Sequence, residues 1–114
     1  MHKIVHAVAR KIHHAGYLAA KTWRSFWVSS VMGKCGKNLK VLGAPKILFP
    51  ANIVIGDNCT LNHGVVIDAR AKVTIGSNVR ISSGSIIETA YLDKGTEETR
   101  SHDAKEITIG DNVW

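Results

Sequence analysis

Beyond residue 34 the aliphatic positions of this chain recur every six residues, as in Ile55, Leu61, Ile67 and Val73. A six-residue period is neither the 3.6 of a helix nor the alternation of a half-buried strand. It fits a short flat strand, a corner, and another short strand. The same columns return after 20 residues: Val41, Leu61 and Ile81; Ile47, Ile67 and Ile87; Ile53 and Val73, which Ile107 resumes later. A pentapeptide marks each return: Cys35-Gly-Lys-Asn-Leu39, Ile55-Gly-Asp-Asn-Cys59, Ile75-Gly-Ser-Asn-Val79 and Ile109-Gly-Asp-Asn-Val113. A fixed repeat of this length predicts a solenoid. Three sides make one triangular coil, and stacked coils pair as parallel strands about 4.8 Å apart. The Gly-X-Asn corners are expected to supply positive φ, which glycine and asparagine tolerate. Small residues at Ala51, Cys59, Ala71 and Ser85 are expected at the crowded inner edge. The fourth pentapeptide arrives 14 residues late, so an excursion interrupts the last coil.

Ahead of the repeats, residues 3 to 31 read as a helix. Ile4, Val8, Ile12, Ala15, Ala19, Trp23, Phe26, Trp27 and Val31 form one stripe at three- and four-residue steps. His6, Arg10, His13, His14, Lys21 and Arg24 lie off it. Gly16 is a weak point and Gly33 a stop. The organisation is therefore an N-terminal amphipathic helix, 1–33, and a mainly β solenoid, 34–114. Two roles for the helix stay open. It caps the first coil, with Trp23, Phe26 and Trp27 over the core, or it lies on an anionic membrane surface.

Charge sharpens the second role. The chain carries net charge +6, and nine basic residues precede the first acidic one, Asp57. The basic excess belongs to the helix and its junction with the solenoid. The basic residues are spread along a helix with no recognised motif, so nucleic-acid binding is not expected. Cys35 and Cys59 fall in inward columns and read as small core residues of a reducing compartment. No signal peptide is recognisable, and no stretch is apolar for long enough to span a bilayer. The last repeat stops at Trp114 without a cap, so either further coils are expected to follow or something else is expected to cover the end.

The excursion, 89–106, is polar and loops out of one corner. It contains Ser101-His102-Asp103, followed by Lys105 and the Ile107 strand. Repeats, a histidine-bearing loop and the run Ile107-Thr-Ile-Gly-Asp-Asn-Val-Trp114 together resemble the hexapeptide-repeat acyltransferases. The similarity is to the sugar O-acetyltransferases of the maltose, galactoside and surface-polysaccharide type. It covers roughly residues 35 to 114. The resemblance implies a left-handed parallel β-helix, a homotrimer with its cleft between subunits, acetyl-CoA as acyl donor and a saccharide or nucleotide-linked sugar as acceptor. It implies that His102 is the catalytic base. A neutral imidazole suits this chemistry, because a sugar hydroxyl is a weak nucleophile that must lose its proton as it attacks a thioester.

By the same resemblance Asn62 contacts the acceptor, the other reading being an ordinary corner asparagine. Asp68 lies near the family's acidic acceptor position and otherwise caps a turn. Tyr91 and Trp114 line the cleft or simply pack. Arg70, Lys72 and Arg80 face CoA phosphates or solvent. His63 points outward from a corner. The sequence departs from the maltose and galactoside branch in lacking a proline after the loop histidine. A zinc enzyme on this scaffold would need three converging histidines, and the solenoid offers only His63 and His102, so no metal is expected. The competing non-enzymatic reading is a catalytically incomplete scaffold at a membrane. The expected location is cytoplasmic, at the inner face of the membrane through residues 1–31.

Overall fold

The computed structural model describes residues 2–92 and 102–114. A long helix, α1 (His2–Val31), leads into stacked three-sided coils. The first coil holds β1 (Lys34–Cys35), β2 (Lys40–Val41) and β3 (Lys46–Leu48). The second holds β4 (Ile53–Ile55), β5 (Thr60–Leu61) and β6 (Val66–Asp68), and the third β7 (Val73–Ile75), β8 (Arg80–Ile81) and β9 (Ile86–Glu88). Each side of the prism is one parallel sheet: β1-β4-β7-β12, β2-β5-β8 and β3-β6-β9. Partners between these coils stand 20 residues apart, as in Ile55 opposite Ile75, Leu61 opposite Ile81 and Ile67 opposite Ile87.

The aliphatic columns fill the prism. Val41, Ile53, Leu61, Val65, Ile67, Ala69 and Val73 are fully enclosed, and Ile55, Cys59, Ile75 and Val79 nearly so. Cys59 is a free buried thiol. Cys35 is half-buried and also free, and burial pushes its thiol up, with Cys59 and Asp57 adding to the effect. The inner edge is not the expected set. Ala71 and Ser85 are half-buried, but Ala51 is exposed, because Pro50–Asn52 form a 3-10 turn that carries it outward. Ala69 and Thr89 take the tight position instead.

The corners divide their labour differently from the expectation. Asn38, Asn58, Asn78 and Asn112 hold the left-handed backbone, with φ of 62°, 56°, 58° and 57°. The glycine two residues earlier does not. Its role is close approach. The Asp57 carboxylate of the second coil accepts the Lys37 N–H of the first at 2.7 Å. Ser77 Oγ likewise accepts the Asp57 N–H at 3.0 Å, and the Asp111 carboxylate accepts the Ser77 N–H at 2.8 Å. Each oxygen lies where a Cβ on Gly36, Gly56 or Gly76 would stand. One corner is thus a ladder of side-chain-to-backbone bonds running the length of the prism.

Helix α1 docks through its last third. Ser25 Oγ accepts the Val41 N–H at 3.0 Å and donates to the Lys21 carbonyl at 2.8 Å. It thereby supplies the acceptor that a preceding coil would have offered that strand. Val28 and Met32 enter the core beneath it. This corrects the expected cap: Trp23, Phe26 and Trp27 are exposed, not laid over the core. The reason is rotational. At 3.6 residues per turn, Ser25, Val28 and Met32 lie roughly opposite the Ile4–Ile12–Trp23 stripe. The stripe therefore faces away from the prism. The helix also projects lengthwise, so the molecule extends 72 × 29 × 23 Å, with a radius of gyration of 18.2 Å. A compact chain of this length would have about 13 Å.

Candidate active site

After Thr89 the chain leaves the prism. Thr89 itself stays in the wall: it is buried, and its Oγ1 donates to the Asp68 carbonyl at 2.9 Å while accepting the Ala71 N–H at 3.1 Å. The excursion thus starts one residue later than its polarity suggested. It leaves as β10 (Ala90–Leu92) and returns as β11 (His102–Ala104), which pair antiparallel. The Lys105 N–H donates to the Thr89 carbonyl at 3.0 Å and closes the base of this ribbon. Then β12 (Ile107–Ile109) rejoins β7, with Ile107 opposite Val73 and Ile109 opposite Ile75. That offset is one coil plus the 14 extra residues.

His102 stands opposite Leu92 in the ribbon register, at the first described position of the returning strand. Its side chain lies outside what the structure describes, as do residues 93–101 of the predicted loop. Asp103 stands opposite Tyr91. The Tyr91 hydroxyl donates to Asp103 Oδ2 at 3.0 Å, the Ala104 N–H donates to Asp103 Oδ1 at 2.8 Å, and Lys105 Nζ lies 5.5 Å from the Tyr91 ring centre. The Ala104 N–H, then the Tyr91 hydroxyl, then the Lys105 charge hold the Asp103 carboxyl below its ordinary range. A depressed carboxyl favours the paired ribbon above the ordinary carboxylate pKa of about 4, and the advantage fades as pH falls below it. Neighbouring strand positions face opposite ways, so Asp103 and Tyr91 share the face that position 102 does not.

The other expected residues scatter. Asn62 Nδ2 and backbone N–H both donate to the Ile81 carbonyl, at 3.1 and 3.0 Å, so its amide nitrogen is tied to the wall. Asp68 is buried and its Oδ1 accepts the Arg70 N–H at 3.3 Å, the geometry of a turn-capping aspartate. Trp114 is 86% exposed, with the Arg80 guanidinium 5.4 Å from its ring centre. His63 is exposed and packs against Gly43. Arg70 lies 5.9 Å from the Phe49 ring centre.

A second concavity escaped the sequence reading. It is a cleft of about 540 Å³ between α1 and the β2-β5-β8 side, and its lining includes Lys21, Lys40, Thr60, Arg80, Asn38 and Asn58. Lys40, Thr60 and Arg80 are register partners on adjacent strands. The repeat period held the signal, since Lys40 and Arg80 share a column two coils apart.

No protein-family model matches the chain. A Saccharomyces cerevisiae protein named as an acetyltransferase, YJL218W, is 35% identical over 108 residues, 91% of this chain and 55% of its own length. WcaF of Escherichia coli, named as a colanic acid biosynthesis acetyltransferase, is 28% identical over 92 residues, 81% of this chain and 50% of its own length. Among solved structures, the hexapeptide-repeat-containing acetyltransferase VCA0836 from Vibrio cholerae aligns with a TM-score of 0.73 at 27% identity, over 82% of this chain and 55% of that one. The chain spans about half the length of these relatives. With that structural likeness, the prism is a left-handed parallel β-helix.

Proposed function

The chain belongs to the hexapeptide-repeat acyltransferase family, and on that premise we propose that it carries out acetyl transfer from acetyl-CoA to the hydroxyl of a saccharide or nucleotide-linked sugar. One observation carries the reading: a 14-residue insertion leaves one corner as a hairpin, returns through His102, and restores the register at Ile107. Such a ribbon carries the backbone of position 102 out of the wall while the coil register is kept. In the proposed step the His102 imidazole takes the acceptor hydroxyl proton as the oxygen attacks the thioester carbonyl. The tetrahedral intermediate collapses with cleavage of the C–S bond. The proton passes to the departing CoA sulfur, leaving an acetyl ester and CoA thiol. Asn62, Asp68, Tyr91 and Trp114 are assigned to the acceptor side, with the first two held by the wall and the last two exposed. The unit is a homotrimer. Ile86, 67% exposed on β9 close to the ribbon, supports a subunit contact there. The test is release of CoA thiol from acetyl-CoA with a panel of saccharides and sugar nucleotides, with acetyl ester detected by mass. Thiol release that no acceptor stimulates overturns the proposal.

The same proposal places the protein in the cytoplasm, against the inner face of a membrane through residues 1–31. No helix among the described residues is long and apolar enough to cross a bilayer. What supports surface contact is the free stripe: Ile4, Val8, Ile12, Trp23, Phe26 and Trp27 are all exposed. The prism hangs from the opposite side of α1, so a flat surface can meet the stripe unobstructed. Flotation with phosphatidylglycerol vesicles is expected for the parent chain, and the pair Val8→Glu and Ile12→Glu should abolish it, because each puts a charge where an apolar side chain would insert. Equal flotation of both proteins removes the helix as an anchor.

A further inference from the structure

We infer that the cleft between α1 and the β2-β5-β8 side is a binding site for a phosphate or diphosphate group. The inference does not depend on the acetyl-transfer reading. Lys40, Thr60 and Arg80 face outward on consecutive strands in one register. At about 4.8 Å per strand, the two cations are rooted roughly 10 Å apart with a hydroxyl between them. That spacing lets both long side chains converge on one anion from two sides. Lys21 of α1 lines the cleft from across, and Thr22 and Ser25 complete that wall. Ser25 is fixed by its bonds to Val41 N–H and the Lys21 carbonyl, so the helical wall is anchored to the prism. Asn38 Nδ2 donates to Asn58 Oδ1 at 3.1 Å, leaving the Asn58 amide nitrogen as a further donor at the rim.

No acidic residue lines the cleft, and none of its three cations has a carboxylate partner among the described residues. The Arg80 guanidinium carbon lies over the Trp114 ring, 5.4 Å from its centre, a cation–π contact that uses none of its N–H donors. Beside Ser25 on α1, outside the lining itself, Arg24 Nη1 is closed to solvent and has no hydrogen-bond partner among the described residues. Uncompensated cations beside hydroxyl and amide donors, in a cleft large enough for a small ligand, favour an anion with several acceptor oxygens. The cleft lies at the corner after β1-β4-β7, whereas the ribbon leaves from the corner after β9, and Trp114, assigned above to the acceptor side, borders the cleft through Arg80.

The phosphate could belong to a soluble diphosphate or to a lipid headgroup, and the experiment separates them. The full chain is titrated calorimetrically with inorganic pyrophosphate and with uridine diphosphate, and sedimented in parallel with phosphatidylglycerol vesicles. Lys40→Glu and the milder Lys40→Gln are compared with Lys46→Glu, an equal charge change at an exposed position on the β3 side. Saturable binding is expected, weakened about tenfold or more by Lys40→Glu, less by Lys40→Gln, and within about twofold of the parent for Lys46→Glu. Binding of either soluble probe assigns a diphosphate ligand. A Lys40-dependent effect seen only with vesicles assigns a headgroup. Absence of saturable binding in every arm overturns the inference. So does equal weakening by Lys40→Glu and Lys46→Glu, which would indicate general attraction to a basic protein.

Discussion

Replacing His102 with alanine is expected to reduce acceptor-dependent acetyl transfer by about a hundred- to ten-thousandfold, the range for removing a positioned general base. The measurement is initial thiol release at saturating donor, with circular dichroism to show that the coils persist. Position 102 belongs to the excursion strand β11, outside the three parallel sheets of the wall, so fold and activity should separate cleanly. The parent rate should fall on the acid side, where a protonated imidazole has no lone pair left to accept the hydroxyl proton. The alanine variant should lose that limb. A variant that keeps the parent rate and pH profile assigns the proton transfer elsewhere.

The second large effect concerns two glycines at equivalent corners. Gly56→Ala is expected to destabilise the fold by about 1–3 kcal/mol, while Gly110→Ala should change it by no more than about 0.5 kcal/mol. A Cβ on Gly56 would stand 2.5 Å from Ser77 Oγ and 2.8 Å from both Gly76 C and Ser77 N. The hydroxyl can rotate, but the backbone of the next coil cannot move without breaking the 2.9 Å bond from Gly56 N–H to the Ile75 carbonyl. A Cβ on Gly110 meets nothing within 4 Å. Neither glycine has positive φ, so strain does not blur the comparison. Urea unfolding of the two variants decides it, and equal midpoints would mean that close approach is not why glycine stands there.

Much of this was written in the spacing of Ile, Val and Leu. One residue type repeating every six positions allows few packings, so the columns, the parallel register and the length of the insertion could be read directly. The corner chemistry was half legible. Asparagine announces left-handed backbone, but whether its glycine serves φ or close approach depends on the coil above it, which only the stacked structure contains. The helix misled for a different reason. Its apolar stripe is the obvious one to bury, yet Ser25, Val28 and Met32 make the contact, because a hydroxyl was needed to satisfy the open Val41 N–H. Hydrophobic pattern carries no record of such a requirement. The candidate site was legible as a histidine in an interruption and not as geometry: whether Asn62 and Asp68 are free for a ligand depends on the Ile81 carbonyl and Arg70 N–H that occupy them.

Among the described residues, the excursion leaves and rejoins the prism at one doorway, where the Lys105 N–H binds the Thr89 carbonyl and Ala90 stands opposite Ala104. Chain enters and leaves side by side, so residues can be added or removed beyond that doorway in any number without shifting Ile107 against Val73. Reach and chemistry can therefore diversify by insertion and deletion while the scaffold's own sequence stands still, which makes this corner the part of the prism freest to change.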